Sequence, residues 1–426
     1  METAIHIVAL VFLAILAATL FFTGVGNFRR EALLAKSSAL QDKIFREEIE
    51  RIMDRRKFEK ESEELSWNGF RKFQVKKKIP EGGDICSFYF SPHDGKPLPP
   101  FNPGQYLTFG LDIPEQKKQV IRCYSLSDSP NHPDYYRCSI KRVPPPRDEP
   151  DAPPGLSSNF FHDKINEGDI LDIKAPGGHF FLDRTKQTPV VLIGGGIGLT
   201  PVLSMLNDIV ESGSKRETWF FYGVRNSKEA VMANHLKQIG KEHENIHMCI
   251  CFSKPGEEDT EGEDYAYAER VSVELFKKVL PSSNYDFYMC GPPPMMNTVV
   301  PDLEAWGVPN KHIHFEAFGP ATVKKTKTEA NKEATEASIS SAGLKLTFAK
   351  SGKTLDWDPD SGAILDFAED NDVDIDFGCR AGNCGTCITA IKDGEVEYLN
   401  APGAEPEEGS CLACIAIPKG NLTLDA

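Results

Sequence analysis

Positive charge is in short supply: 48 Lys and Arg stand against 63 Asp and Glu, a net charge of -15. Such a balance argues against nucleic acid and anionic membrane surfaces as partners. Disulfide pairing is missing too. Cys86, Cys123, Cys138, Cys249, Cys251, Cys290 and Cys411 form no paired framework, which suits a reducing compartment. No internal repeats appear, and the G-x-G-x-x-G fingerprint of dehydrogenases is absent. The chain is nevertheless 426 residues long, enough for two to four domains with separate cores.

What is present centres on Phe377-Gly378-Cys379-Arg380-Ala381-Gly382-Asn383-Cys384-Gly385-Thr386-Cys387, answered later by Cys414. The spacing is C-x4-C-x2-C followed by a long gap. Four thiolates in that pattern hold two irons, each tetrahedral, bridged by inorganic sulfide. The loop must wrap the cluster closely, and Gly378, Ala381, Gly382, Gly385 and Thr386 are small or permissive enough for that approach. A zinc site uses two short Cys pairs, which this spacing does not supply. From Leu344 to Ala426 the chain resembles a plant-type 2Fe-2S ferredoxin. That resemblance implies Cys379, Cys384, Cys387 and Cys414 as ligands, with Cys411 a neighbour only.

Ala4 to Thr23 is almost wholly apolar, broken by His6 and Thr19. About 20 such residues span a bilayer as a helix. No positive charge precedes the run and no clear cleavage site follows it, so a secretory signal fits poorly. Arg29, Arg30 and Lys36 come after the run, which predicts a single-pass anchor with the remainder cytoplasmic. Glu31 to Glu64 carries charges of both signs, with Leu33, Leu40, Ile44, Ile49, Ile52 and Met53 near helical spacing. Two readings stay open there: an amphipathic helix that dimerises or docks a partner, and a solvated stalk laced with ion pairs.

Trp67 to about Lys186 reads as all-β, its short apolar stretches separated by Pro, Gly and Asp turns. Arg122-Cys123-Tyr124-Ser125 ends one strand, and Gly155-Leu156-Ser157-Ser158 opens a short helix. With Pro103-Gly104-Gln105-Tyr106 before them and Ala175-Pro176-Gly177-Gly178-His179-Phe180 after, they resemble the flavin barrel of the ferredoxin-reductase superfamily, nearest its flavohaemoglobin branch. The resemblance implies that Arg122 pairs with a flavin phosphate, for which a guanidinium fork is well shaped. It also implies Tyr124 against the ring, Ser125 at the ring edge, and Gly155, Ser157 and Ser158 at the phosphates. FAD is expected before FMN. The insert Pro144 to Pro154 departs from the compact family pattern.

Pro189-Ile193 is a buried-strand run leading into Gly194-Gly195-Gly196-Ile197-Gly198-Leu199-Thr200-Pro201 and a helix to about Glu211. A strand, glycine turn and helix bring backbone N–H groups and a positive helix end to a pyrophosphate. Thr200 is expected as the N-cap, with Pro201 at the first helical position. Further strands at Thr218–Val224 and Asn284–Cys290 predict a doubly wound α/β sheet. Cys290-Gly291-Pro292-Pro293-Pro294-Met295 resembles the C-G-P-x-x-M of the same superfamily. By that resemblance Cys290 sits beside the nicotinamide and, with Ser125, takes part in catalysis, while Gly291 and Pro292 bind the nucleotide. After His314-Phe315-Glu316-Ala317, Phe318 is expected to cover the flavin face, with Phe315 the alternative for that role and the other of the two in the core. Arg225 and Lys228 follow the second strand, and no acid stands there for a free 2′-hydroxyl. On resemblance, NADH is expected before NADPH.

Ala321 to Ala342 has a linker composition, and about 22 flexible residues reach roughly 25 Å. Beyond it, a hairpin (Leu344–Phe348, Lys353–Trp357) and a helix (Ala363–Glu369) precede the cluster loop. Asp366, Glu369, Asp370, Asp372, Asp374 and Asp376 form an acidic run, either solvated surface or a docking patch for a basic acceptor.

The expected architecture is therefore multidomain. Residues 1–28 form a transmembrane helix and 29–66 a juxtamembrane helix; 67–186 form an antiparallel flavin barrel and 187–320 an α/β nicotinamide domain. Residues 321–342 are the linker and 343–426 an α+β ferredoxin domain. A hydride carries two electrons and the cluster accepts one, so a flavin belongs between them. The chain is expected to be an NAD(P)H reductase feeding a separate acceptor at the membrane. The domain order resembles phthalate dioxygenase reductase, which points to an oxygenase or desaturase. A quinone-linked respiratory subunit and a tethered carrier module are the rival readings; the first family carries its ferredoxin domain before the flavin domain.

Overall fold

The computed structural model describes residues 2–114, 116–117, 119–145, 150–317, 344–358, 361–378, 380, 382, 385–399, 402 and 406–426. The linker at 321–342, Phe318, Cys379 and Cys384 lie outside the described residues, as does part of the Pro-rich insert. The chain divides into two compact units, Met1–Glu61 and Ser62–Ala426.

The first unit is a single helix, α1 (Glu2–Leu65), running through both N-terminal segments distinguished above. Arg55 and Glu59 pair at 2.8 Å one turn apart, as do Lys57 and Glu61 at 3.8 Å. Among the described residues no helix is long and apolar enough to cross a membrane. Ala4, Ile5, Val8, Ala9, Val11 and Ala18 of the apolar run are not among those whose side chains are described.

The second unit begins with a barrel. Its strands are β1 (Arg71–Gly82), β2 (Ile85–Pro92), β3 (Tyr106–Leu111), β4 (Val120–Ser125), β5 (Tyr136–Lys141) and β6 (Ile170–Ile173). They pair antiparallel in the order β4-β3-β6-β1-β2-β5. A bridge from Leu126 to Cys138 joins the two outer strands and closes the ring. Gly83 and Asp84 reverse the chain between β1 and β2 with φ of 54° and 59°. Two left-handed residues give a turn whose twist matches the strands. Phe73, Phe88, Phe90, Phe109 and Tyr136 fill the interior, and Phe161 of helix α2 (Leu156–Asp163) plugs it.

The nucleotide domain follows as β7 (Val190–Gly195), α3 (Leu199–Glu211), β8 (Thr218–Val224), α4 (Ala233–Glu242) and β9 (Ile246–Phe252). It continues as α5 (Val273–Val279), β10 (Asp286–Gly291), α6 (Pro293–Ala305) and β11 (Ile313–Ala317). All five strands are parallel, in the order β11-β10-β7-β8-β9. Apolar cores lie on both faces, one under α3 and α4, the other under α5 and α6. The doubly wound sheet is as expected, and β9 and β11 add two strands to those read from the sequence. Strand order reverses between β7 and β10, where such sheets bind ligands at the carboxyl ends of the strands.

The last domain comprises β12 (Lys345–Phe348), β13 (Lys353–Asp356), α7 (Ile364–Asp370), β14 (Ile388–Asp393) and β15 (Val396–Tyr398). It ends with β16 (Ser410–Leu412), β17 (Ala416–Pro418) and β18 (Leu422–Leu424). Its main sheet runs β13-β12-β18-β14-β16, with β12 and β18 parallel and α7 packed on the shared core. This is the mixed α+β arrangement expected.

Candidate active site

The Arg122–Ser125 segment forms the end of β4, and Gly155 caps α2. Both face one cavity of about 540 Å³. Arg122, Tyr124, Ser125, Gly155, Ser157 and Ser158 all line it, so the structure brings together every barrel residue singled out from sequence. Tyr124 is held edge-on by Phe109 and Phe161, at centroid separations of 5.8 and 5.3 Å. Burial raises its phenol well above the ordinary range. Its OH therefore stays neutral and acts as a hydrogen-bonding group.

The two helix serines differ. Ser158 Oγ donates to the Gly155 carbonyl at 3.2 Å and accepts from the Val143 N–H at 3.2 Å. It fastens α2 to the strand end. Ser157 Oγ is buried and has no hydrogen-bond partner among the described residues. A buried hydroxyl without a partner is costly, of order 1–3 kcal/mol, unless something else supplies one. An anionic group at the N-terminus of α2, in the cavity that Arg122 also lines, would be such a partner. The cavity thus fits a phosphate-bearing flavin: a cation, an orphan hydroxyl and an aromatic wall converge on it.

The rest of the lining comes from other domains. Ile197 and Thr200 reach it from the glycine turn, Glu316 from β11, and Gly378 and Arg380 from the cluster loop. Sequence reasoning missed Glu316 and Arg380. Each was signalled only by contrast, Glu316 as the acid in an apolar closing strand and Arg380 as the cation following an acidic run.

The glycine turn sits at the switch point. Gly196 takes φ 56°, and Gly196–Gly198 forms a 3-10 turn that runs into α3. Thr200 is therefore not the N-cap. Gly198 occupies that place, Leu199 is the first helical residue, and Pro201 is the third. Because the tight turn already begins at Gly196, Thr200 Oγ1 donates back to the Ile197 carbonyl at 3.1 Å. Gly194 and Gly195 finish β7 beside the end of β10. A methyl on Gly195 would meet Pro292 Cδ at 2.8 Å, and one on Gly291 would meet Met295 Cε at 2.3 Å. The small residues are there because two strand ends and two helix starts touch.

Cys290 pairs in register with Gly194 and Glu316 but is fully buried in the core and does not line the cavity. Burial, and secondarily Glu316, pushes its thiol well above the usual range, so it remains protonated. It is a compact wall behind the nucleotide turn, with no nucleophilic character. Arg225 is bound by Glu229, its Nε at 2.6 Å, and Lys228 by Glu258 at 2.9 Å. Both basic residues after the second strand are thus already paired with acids.

In the cluster domain, the Sγ atoms of Cys387 and Cys414 lie 3.0 Å apart, beyond the length of a disulfide bond. Two sulfurs side by side suit a shared iron. Cys411 points into the core from β16, and burial pushes its thiol up to about 12.

Comparison with known proteins agrees with this geometry. Residues 72–182 match the oxidoreductase FAD-binding domain, 192–300 the oxidoreductase NAD-binding domain, and 346–419 the 2Fe-2S iron-sulfur cluster binding domain. A solved FAD/NAD-binding domain of a nitric oxide dioxygenase from Vibrio cholerae is 31% identical. The match covers 59% of this chain and 100% of that one, with a TM-score of 0.52. The chain belongs to the FAD- and NAD-dependent oxidoreductases. Its cofactors are FAD, NADH and a 2Fe-2S cluster. This oxidoreductase is also similar to a structure of phthalate dioxygenase reductase, 26% identical, covering 84% of this chain and 98% of that one at a TM-score of 0.53. The flavohemoproteins of Halalkalibacterium halodurans and Rhizobium meliloti are 40% and 41% identical over 60% of this chain. The chain spans 61% and 62% of those two relatives.

Proposed function

We infer that the oxidoreductase takes electrons from NADH and delivers them one at a time, from the membrane surface, to an oxygenase or desaturase. The observation carrying this reading is the shared cavity. Its lining includes Arg122, Tyr124 and Ser125 of the barrel together with Gly378 and Arg380 of the cluster loop. FAD, when bound, accepts a hydride's two electrons and releases them singly. Arg122, Ser157 and the start of α2 hold its phosphates; Tyr124 and Ser125 meet the ring; the turn Gly194–Gly198 with Gly291 and Pro292 receives the nucleotide. Cys379, Cys384, Cys387 and Cys414 hold the cluster. The similar phthalate dioxygenase reductase is a modular structure for electron transfer from pyridine nucleotides to 2Fe-2S, which supports an oxygenase-type acceptor here.

The membrane part of the reading rests on α1. Ile7, Leu10, Phe12, Leu13, Ile15, Leu16, Leu20, Phe21 and Phe22 are all more than half exposed. Each such side chain gains roughly 1.5–3 kcal/mol when removed from water. A bilayer is a solvent that removes all of them at once. Arg29 and Arg30 beyond the run orient the redox domains to the cytoplasm. Confining reductase and acceptor to one membrane raises their effective concentration.

Deleting residues 1–28 tests this. The truncated protein is expected to leave the membrane fraction and to reduce ferricyanide at the full-length rate. It is expected to turn over an acceptor in membranes more slowly at equal enzyme concentration. Truncated enzyme that supports the acceptor as well as full-length would remove the anchor from the account.

A further inference from the structure

Arg380 is an odd residue to find where it is. It takes φ 53°, a left-handed conformation that an arginine adopts only when its surroundings enforce it. What enforces it is visible. Its Nη1 donates to Asp366 Oδ1 at 3.1 Å and its Nη2 to Glu369 Oε2 at 2.6 Å, both on α7. Its guanidinium carbon also lies 4.2 Å from the Phe377 ring centroid. Two members of the acidic run are thereby committed inside the domain.

Arg380 lines the flavin cavity, as Arg122 does. Arg122 is partly buried, and its proton affinity is lowered first by that burial and then by the charge of Arg380. Asp366 and Glu369 offset the charge of Arg380, but the two cations still share one cavity, and an anion bound there would attract both. FAD brings two phosphates. The loop meets the barrel at a second point, where a methyl on Gly385 would stand 3.3 Å from His179 Nε2. The ferredoxin domain is thus seated on the barrel by the loop that carries its ligands.

We propose that Arg380 is a positioning residue that couples FAD binding to docking of the ferredoxin domain. It rests on assigning the cavity to FAD. The barrel holds the cofactor through Arg122, the ferredoxin domain reaches the same cavity through Arg380, and α7 carboxylates keep Arg380 aimed. Coupling of this kind is reciprocal: FAD draws the ferredoxin domain in, and the docked domain tightens FAD.

The test titrates FAD into flavin-stripped protein that retains its cluster, read by quenching of FAD fluorescence, with the radius of gyration followed by X-ray scattering. Arg380→Gln is expected to weaken FAD binding by about tenfold, as for loss of one charge-assisted contact. The wild type is expected to contract when FAD binds, and Arg380→Gln is expected not to. Arg122→Gln is measured alongside. If Arg122→Gln weakens FAD and Arg380→Gln leaves Kd within twofold, the coupling is overturned while the flavin site stands. If neither variant changes Kd, the cavity assignment itself falls. Should Arg380→Gln fail to keep its cluster, Arg380→Met takes its place. Methionine removes the charge but keeps an apolar stem against Phe377, and an unchanged Kd there also overturns the proposal.

Discussion

Cys387 and Cys414 present their sulfurs to one another at 3.0 Å, across the loop and the strand that follow each of them. Cys411, three residues before Cys414, is fully buried on β16, opposite Thr389. Cys414→Ser is therefore expected to lose the cluster's visible absorbance and most of its iron. Cys411→Ser is expected to keep two irons per chain and to cost only stability, on the order of 1–3 kcal/mol for a hydroxyl placed in an apolar core. Iron analysis with thermal unfolding checks both, and the opposite pattern would exchange the two assignments.

Gly198 packs against the carbonyl of Cys290 so closely that a methyl would lie 2.2 Å from its oxygen. Backbone cannot yield as a side chain can. Gly198→Ala is expected to push the turn off β10, lowering stability by about 1–3 kcal/mol and raising KM for NADH. Unchanged KM and Tm would show that the turn has room the structure does not.

The pairing of Arg225 with Glu229 and of Lys228 with Glu258 means that neither cation meets a 2′-phosphate without first leaving its acid. Exposed pairs of this sort are worth roughly 0–1 kcal/mol each, so the barrier is modest and breakable. The wild type is expected to favour NADH by more than tenfold in kcat/KM. Glu229→Gln with Glu258→Gln is expected to raise kcat/KM for NADPH severalfold with little change for NADH. A wild-type preference for NADPH would reverse the argument.

His162 on α2 donates from Nε2 to the Ile140 carbonyl at 2.8 Å. Burial holds its imidazole below the ordinary value of 6.5, outweighing the hydrogen bond that acts the other way. The unfolded chain then binds the proton more readily than the folded one. Its contribution to stability is full above pH 6.5 and declines as the pH falls through the lowered folded value. Denaturant unfolding at pH 7.5 and 5.0 is expected to show a smaller acid loss for His162→Gln than for the wild type. Equal losses would place the acid sensitivity elsewhere.

Much of this is legible in sequence because the signals are local. The C-x4-C-x2-C loop, the Gly194–Gly198 turn after an apolar strand, and the Arg122–Ser125 tetrad each carry chemistry in consecutive residues. Strand β9 is harder to see because Ile246-His247-Met248-Cys249-Ile250-Cys251-Phe252 interrupts its β-branched residues with His, Met and Cys. The start of α3 lies two residues earlier than its Thr-Pro pair suggests, because a 3-10 turn joins it without a side-chain cap. Arg380 is hidden for a different reason. Its partner Asp366 lies 14 residues away on a helix, and its cavity belongs to another domain. Tertiary pairings of that kind leave no pattern in the neighbouring sequence.

Anaerobic addition of NADH to the full chain, followed by optical absorbance and electron paramagnetic resonance, tests the central claim most directly. The account predicts loss of flavin absorbance together with a reduced 2Fe-2S signal integrating to about one spin per chain. Flavin bleached by NADH with no cluster signal would contradict it, since the shared cavity would then not be a route for electrons.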